Sequence, residues 1–332
     1  MKHKVILLVM VLLASGLTTV YAESDTRTGT AGALELLIPI GSRGTAMGGS
    51  VVADAYGLEA IYWNPAGLAS LEGTEAMFSH LPYIADIDVN FGALGTTIEG
   101  FGTVAASAKV VAIGDIEETT ELEPEGTGSI HSPTLAVVGL TYARNLTAQV
   151  QFGATANFIS ERIFDVSASG ISFDFGVTYT PNWHGVTIGI AMKNYGPDME
   201  FDGAGFQRTF EIAGQRRVFL SPAPFELPAN INIGMAYNFL NQGYNSMTLA
   251  GNFRSNNHSN DYWQGGLEYA YNERYFLRGG YTFSEQDEFI YGAALGGGLM
   301  FAMGETTLSI EYSWTETDVF DDNQYFTFKL GF

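Results

Sequence analysis

The sequence predicts an all-β fold, a transmembrane antiparallel β-barrel of about 14 strands with an N-terminal plug in its lumen. Three observations predict it. From Glu75 to Phe332 apolar and polar residues alternate with period two, so they fall on opposite faces of successive strands. One face carries large apolar side chains, while the other is rich in Gly, Ala, Ser and Asn. The connections fall into tight turns and longer polar loops, as in a barrel with its turns in the periplasm and its loops outside.

The N-terminus reads as an export signal. Lys2 and Lys4 precede an uncharged stretch from Val5 to Val20, and Val20-Tyr21-Ala22 offers a small-residue cleavage site. The stretch is shorter than the roughly 20 residues that a helical span needs. Removing residues 1–22 takes two lysines and no acids, moving the formal charge from -21 to -23.

Residues 23–74 form the second unit, and from residue 29 onward they do not alternate. Gly41-Ser42-Arg43-Gly44-Thr45-Ala46-Met47-Gly48-Gly49-Ser50 and Ala60-Ile61-Tyr62-Trp63-Asn64-Pro65-Ala66-Gly67 stand out. Between them, Val51 to Tyr56 can make a short helix. Gly48-Gly49 permits positive φ, and Asn64-Pro65 is a turn signal. A compact, glycine-rich segment ahead of a barrel is expected inside the lumen, where small residues pack against the wall. A periplasmic extension is the alternative.

The barrel itself spans 75–332. Its 14 segments are read at 75–82, 86–97, 101–114, 132–144, 148–160, 168–180, 184–193, 229–238, 245–254, 261–271, 275–283, 290–303, 306–315 and 322–332. Short connections are expected at 98–100, 145–147, 181–183, 239–244, 272–274 and 304–305, with both termini on their side. Leu308, Ile310 and Tyr312 should face lipid, and Ser309 and Glu311 the lumen. Aromatic residues near the strand ends, such as Tyr179, Tyr271, Tyr275, Trp263 and Phe283, suit two interfacial girdles. A soluble sandwich also alternates, but a closed ring better explains why every segment carries a large apolar face: lipid covers it, with no unpaired edge in hydrocarbon.

Phe326, Phe328, Leu330 and Phe332 share one face of the last segment, which ends in Phe at the free carboxylate. This resembles the outer-membrane assembly signal and implies outer-membrane lipid and the assembly machinery as partners, with Phe328, Leu330 and Phe332 as its residues.

Composition narrows the function. With 17 Tyr and 23 Phe the chain is no disordered segment, and a pI near 4.4 argues against a nucleic-acid partner. Zero cysteine removes disulfides, thiolate metal sites and thiol nucleophiles. His80, His131, His184 and His258 fall at separate strand ends or loops without metal-ligand spacing, and no nucleophile elbow or phosphate loop occurs. No cofactor, metal or catalytic residue is assigned, and the chain is read as a non-enzyme.

Two loop features remain. Acids crowd three loops, at Asp115 to Glu125, Glu285 to Glu288 and Glu316 to Asp322, as solubilising charge or as a divalent-cation surface. The longest loop, 194–228, mixes Phe201, Phe206, Phe210, Phe219 and Phe225 with Arg216 and Arg217. So much apolar content suggests a fold over the mouth or a surface for a partner or ligand.

The stretches at 41–50 and 60–69 resemble the N-terminal plug motifs of the FadL-like outer-membrane superfamily. The wording Gly-Ser-Arg-Gly-Thr-Ala-Met-Gly-Gly-Ser, followed by Tyr-Trp-Asn-Pro-Ala-Gly, is most similar to the PorV/PorQ proteins, and so is Met192-Lys193-Asn194-Tyr195-Gly196-Pro197. The resemblance implies a 14-stranded plugged barrel. It assigns the plug motif to Gly41, Arg43, Gly44, Met47, Gly48, Gly49, Tyr62, Trp63, Asn64, Pro65, Ala66 and Gly67. It further implies a part in protein export, handling secreted cargo proteins of type IX secretion through an interaction surface. The alternative is a FadL-like passive channel for hydrophobic ligands, with plug movement around Asn64-Pro65 opening a path.

Overall fold

The structure, a computed structural model, describes residues 29, 31–84, 87–181, 185–211, 215–219, 222–284, 290–318 and 320–332, and within 207–219 the backbone alone. The expected signal peptide, His184 and the acids at 285–288 lie outside the described residues.

Alternating patterns become strands because each can send its apolar row to lipid and its small or polar row to the lumen. Fourteen strands do so: β1 Thr74–Pro82, β2 Asp88–Ile98, β3 Gly102–Ala112, β4 Thr134–Asn145, β5 Val150–Ile163, β6 Val166–Tyr179 and β7 Val186–Tyr195, then β8 Asn230–Gln242, β9 Asn245–Asn256, β10 Tyr262–Tyr271, β11 Tyr275–Ser284, β12 Tyr291–Met303, β13 Thr306–Thr317 and β14 Asn323–Gly331. Neighbours in sequence pair antiparallel, and β14 pairs with β1, with Phe78 opposite Phe328, so the sheet closes on itself. Closure removes every edge that would otherwise present unpaired backbone to hydrocarbon. Ile310 and Tyr312 are each 40% exposed on the outer face, while Ser309 and Glu311 are buried inside, as the alternation predicts.

The tight turns at 99–101, 146–149, 243–244, 272–274 and 304–305 gather at one end. The other end is mixed: 113–133 and 196–229 are long, but Phe164–Asp165 joins β5 to β6 in a two-residue turn. Strand β8 also runs on to Gln242, through a register shift between Asn238 and Leu240, leaving a two-residue turn where the alternation suggested six residues.

The C-terminus lies at the turn end, where the Phe332 N–H donates to the Thr74 carbonyl and the Thr74 N–H to that of Phe332. The described chain begins elsewhere. Ala31 bridges Glu226 in the long loop, and the Gly32 N–H donates to the Glu226 carbonyl. From Ala31 the plug therefore runs from the loop end down the lumen to enter β1 at the turn end; the N-terminus, expected on the same side as the C-terminus, lies outside the described residues. Residues 31–33 are held at the mouth because Ala33 and Leu36 pack into a small apolar cluster with Ile159, Met199 and Leu227.

The main apolar core is the contact between plug and wall. Met47, Val51, Leu58, Trp63 and Leu68 pack against Met77, Phe91, Ala105, Ala143, Ala236 and Ala250. Each fully buried Leu contributes about 1.5–3 kcal/mol, so the plug is a folded component of the lumen.

Candidate functional site: a plugged lumen and its external vestibule

Short helices organise the plug: Ser42–Ala46 and Ala60–Trp63 are α-helical, and Leu34–Leu37, Gly57–Glu59 and Pro65–Ser70 are 3-10. Val51 to Tyr56 makes turns instead of the expected helix, because Asp54 is drawn to Arg43 and Asn64 claims the Val52 carbonyl. Gly48 and Gly49 end the first helix with φ of 61° and 79°, the left-handed region that L side chains avoid.

The wall makes room for the plug with its own glycines. A Cβ on Gly153 would meet Pro65, one on Gly176 would meet Asn64, and one on Gly266 or Gly280 would meet Met47. Asn64 is fully buried and satisfied on all sides: Nδ2 donates to Val52 O at 2.7 Å and Val177 O at 3.4 Å, while Oδ1 accepts from the Ala66 N–H at 3.1 Å. A carbonyl on one face and two donors on the other let Asn bridge plug to wall where irregular backbone would otherwise be unpaired. Trp63 Nε1 donates to Ile40 O, the Tyr62 hydroxyl donates to Leu37 O, and Ala66 and Gly67 are packed in the same turn. Gly41 donates to Ser79 Oγ, and Gly44 lies under the Trp63 ring. The structure thus brings all twelve plug-motif residues together inside the lumen.

Below this packing runs a chain of alternating charges that links plug to wall. Asp54 pairs with Arg43 at 2.7 Å, Arg43 with Glu268 at 3.0 Å, and Glu268 with Arg278 at 2.6 Å. Arg278 then reaches Glu311 at 3.4 Å, Glu311 reaches Lys329 at 3.2 Å, and Lys329 ends on Glu59 at 2.8 Å. Asp54, Arg43 and Glu59 come from the plug; the others come from β10, β11, β13 and β14. Glu59 also accepts from the Gly44 N–H at 2.6 Å, and Arg43 lies 4.5 Å from the Tyr56 ring centroid. Burial works against the Arg43 charge, but the Asp54 and Glu268 carboxylates outweigh it and hold the guanidinium above its ordinary range. Burial raises the Asp54 carboxyl above its ordinary range, against the pull of Arg43. A buried pair is costly to break from one side, so this chain ties the plug to the wall in the turn-end half of the lumen.

Sequence reading identified Arg43 but assigned no role to Glu268, Arg278 or Lys329. The signal was available: charged residues in the polar rows of β10, β11, β13 and β14, alternating in sign around the ring. What sequence could not supply was that the plug contributes the missing partners.

A second polar group occupies the far wall. Strand β7 bulges against β6, where Lys193 and Asn194 pass the single residue Asp174. Asn194 has φ of 58°, and its N–H donates to Asp174 Oδ1 at 2.6 Å. Lys193 Nζ sits 3.4 Å from the Tyr62 ring centroid, and Lys109 Nζ donates to Ile38 O at 3.1 Å. The motif at 192–197 therefore forms a bulge that turns a lysine onto the plug.

Above the plug, at the loop end, lies a cavity of about 350 Å³. Tyr62, Trp63, Tyr83, Tyr262, Tyr291 and Tyr325 line it, with Leu34, Leu37 and Ile38 from the plug's first turn. Arg254 and His258 are among its polar groups. His258 is pushed down to about 4 by burial and by the neighbouring Arg254 charge, so it is neutral at neutral pH.

The remaining candidates are placed as follows. Phe328 and Phe332 are exposed on the outer face at 44% and 56%, and Leu330 is half-buried beside them. In the long loop, Phe201 and Phe225 stack at 5.6 Å and cover the apolar cluster at the mouth, with Phe206 nearby in sequence and half-buried. Phe210, Arg216, Arg217 and Phe219 lie on a hairpin, Gln207–Glu211 with Gln215–Phe219, that places Phe210 opposite Arg216.

No protein-family model matches the chain, and no curated protein matches it. Solved structures share its fold. A structure described as the CymD monoaromatic hydrocarbon channel is 15% identical with a TM-score of 0.56, covering 89% of this chain and 97% of that one. The Pseudomonas putida toluene transporter TodX is 14% identical with a TM-score of 0.56, covering 87% and 96%. A Pseudomonas aeruginosa FadL homologue is 13% identical with a TM-score of 0.52, covering 88% and 98%. At these identities the likeness is one of fold: a closed 14-stranded antiparallel β-barrel of the outer-membrane type.

Proposed function

We propose that this chain is an outer-membrane channel that admits hydrophobic small molecules. The observation that carries the reading is the vestibule: an aromatic and aliphatic cavity of about 350 Å³ at the loop end, directly over the plug packed in the lumen. An apolar molecule leaving water gains about 25 cal/mol per Å² buried, and concave, largely apolar pockets of this size are the usual form of a small-molecule site. The fold shared with hydrocarbon channels supports the same reading. Transport needs no chemistry from the protein, so the chain acts without a catalytic group or cofactor. The export role implied by the resemblance to PorV/PorQ has support from neither the comparisons nor the geometry, whereas the channel has both.

The test is uptake of radiolabelled toluene by cells whose outer membrane carries the protein, against cells carrying empty vector. A lipopolysaccharide leaflet resists apolar solutes, so a channel should raise the initial rate. Ala294→Phe, which projects a ring into the vestibule, should lower it at equal amounts of folded barrel. Uptake equal to the vector control would refute the channel.

A further inference from the structure

We propose that the vestibule selects small aromatic carboxylates, with Arg254 as the residue that reads the acid group. The inference rests on the channel reading and narrows its substrate class.

Arg254 is 8% exposed on the inner face of β9, opposite Tyr262 of β10. Its Nη1 donates to the Tyr262 hydroxyl at 2.7 Å, and its guanidinium lies 5.5 Å from the Tyr262 ring centroid. Its Nε is buried with no acceptor. Among the described residues no carboxylate forms an ion pair with it. Asp261, in the next connection, accepts from the Asn256 N–H instead.

Contrast gives this its force. Arg43 and Arg278 are equally buried and each touches two carboxylates, as a buried guanidinium requires. Arg254 has a phenol and a cavity. A buried cation left without a counter-ion in an apolar cavity is matched by an anion arriving from outside, and a guanidinium fork suits a carboxylate in particular. His258 beside it is neutral at neutral pH, so Arg254 supplies the positive charge on that side of the vestibule.

The rest of the ligand follows from the walls. Six aromatic rings favour a flat, polarisable body that can stack or meet them edge-on over a flexible aliphatic chain, which loses more conformational freedom on entry. An aromatic ring bearing one carboxylate satisfies both features.

The experiment measures initial uptake of labelled benzoate, octanoate and toluene, at a pH where both acids are ionised. It uses porin-deficient cells expressing the full chain, with rates normalised to folded barrel in the outer membrane. The variants are Arg254→Gln, which removes the charge, and Arg254→Lys, which keeps it. The expected result is benzoate entry well above vector and above octanoate. In Arg254→Gln the benzoate-to-toluene rate ratio should fall about tenfold or more, as expected for loss of a charge-assisted hydrogen bond, with partial recovery in Arg254→Lys. Toluene entry without benzoate entry, or a benzoate rate indifferent to Arg254→Gln, would overturn the inference and leave the channel standing. Octanoate preferred to benzoate would overturn the aromatic assignment. Entry of none of the three would overturn the channel itself, and this inference with it.

Discussion

Arg43→Gln tests the claim that the charge chain holds the plug. Among the described residues Arg43 is the sole ionic bridge between Asp54 and the wall, through Nη2 to Asp54 at 2.7 Å and Nε to Glu268 at 3.0 Å. At about 4 Å between charge centres and an effective dielectric near 20, one such pair is worth about 4 kcal/mol. Stranding one member of a buried pair costs about 3–5 kcal/mol. Glu268 keeps Arg278 at 2.6 Å, so the loss falls mainly on Asp54 and belongs at the lower end of that range. A loss of about 3 kcal/mol makes the released plug roughly a hundredfold more populated. The barrel ladders do not pass through Arg43, so the strands should be spared. Hydrogen exchange on the protein in bilayer discs separates the two: peptides within 41–69 should lose protection, and those of β10 to β14 should keep it. The pH dependence follows from Asp54, whose carboxyl burial raises above its ordinary range. A raised carboxyl takes up its proton more readily when the plug is docked. Docking therefore strengthens as pH falls through the window between the released and docked values, and above that window it is weakest and independent of this group. Without Arg43 that window extends upward, so the variant's deficit should be greatest at neutral pH and shrink in mild acid. Asp54→Asn added to Arg43→Gln should recover part of the protection. Protection of 41–69 that matches wild type at every pH would refute the argument.

Three further outcomes are expected. Ile310→Arg should cost about 2–4 kcal/mol in folding into bilayers, because it places charge at the lipid face, whereas Ser309→Ala, facing the lumen, should stay within about 1 kcal/mol; denaturant titration in lipid reads both. Gly176→Val should displace the plug without unfolding the barrel, since a side chain there meets Asn64, and residues 41–69 should become open to protease while the barrel keeps its heat-modifiable mobility. Deleting Phe332 removes its paired backbone bonds with Thr74 along with the exposed terminal ring, and should lower the amount of folded barrel in the outer membrane of cells.

Strand number and facing were legible in the sequence because each rests on a local repeat. Leu308-Ser309-Ile310-Glu311-Tyr312 declares its two faces without reference to any other strand, and lipid enforces the choice at every position alike. All 14 segments were found for that reason, with errors of a few residues at the ends, where a bulge such as the one after Asn238 adds length that alternation does not show. The plug motif was legible by a different route, as a dense run of Gly, Asn and Pro that could not alternate. Its helices were not, since Val51 to Tyr56 has the composition of a helix and makes turns once Asp54 answers to Arg43. The route of the plug from the loop end downward was hidden as well, because it depends on Ala33 and Leu36 finding Met199 and Leu227 far along the chain. Closure decided the rest. Glu268, Arg278, Glu311 and Lys329 are ordinary polar-face residues until the ring brings their strands side by side and the plug supplies Arg43 and Glu59. Arg254, on the same inner face, is set apart because no carboxylate among the described residues pairs with it there. Sequence fixes which face a charge occupies, through the period of a strand; which charges meet depends on distances across the lumen, and those exist only once the barrel has closed around the plug.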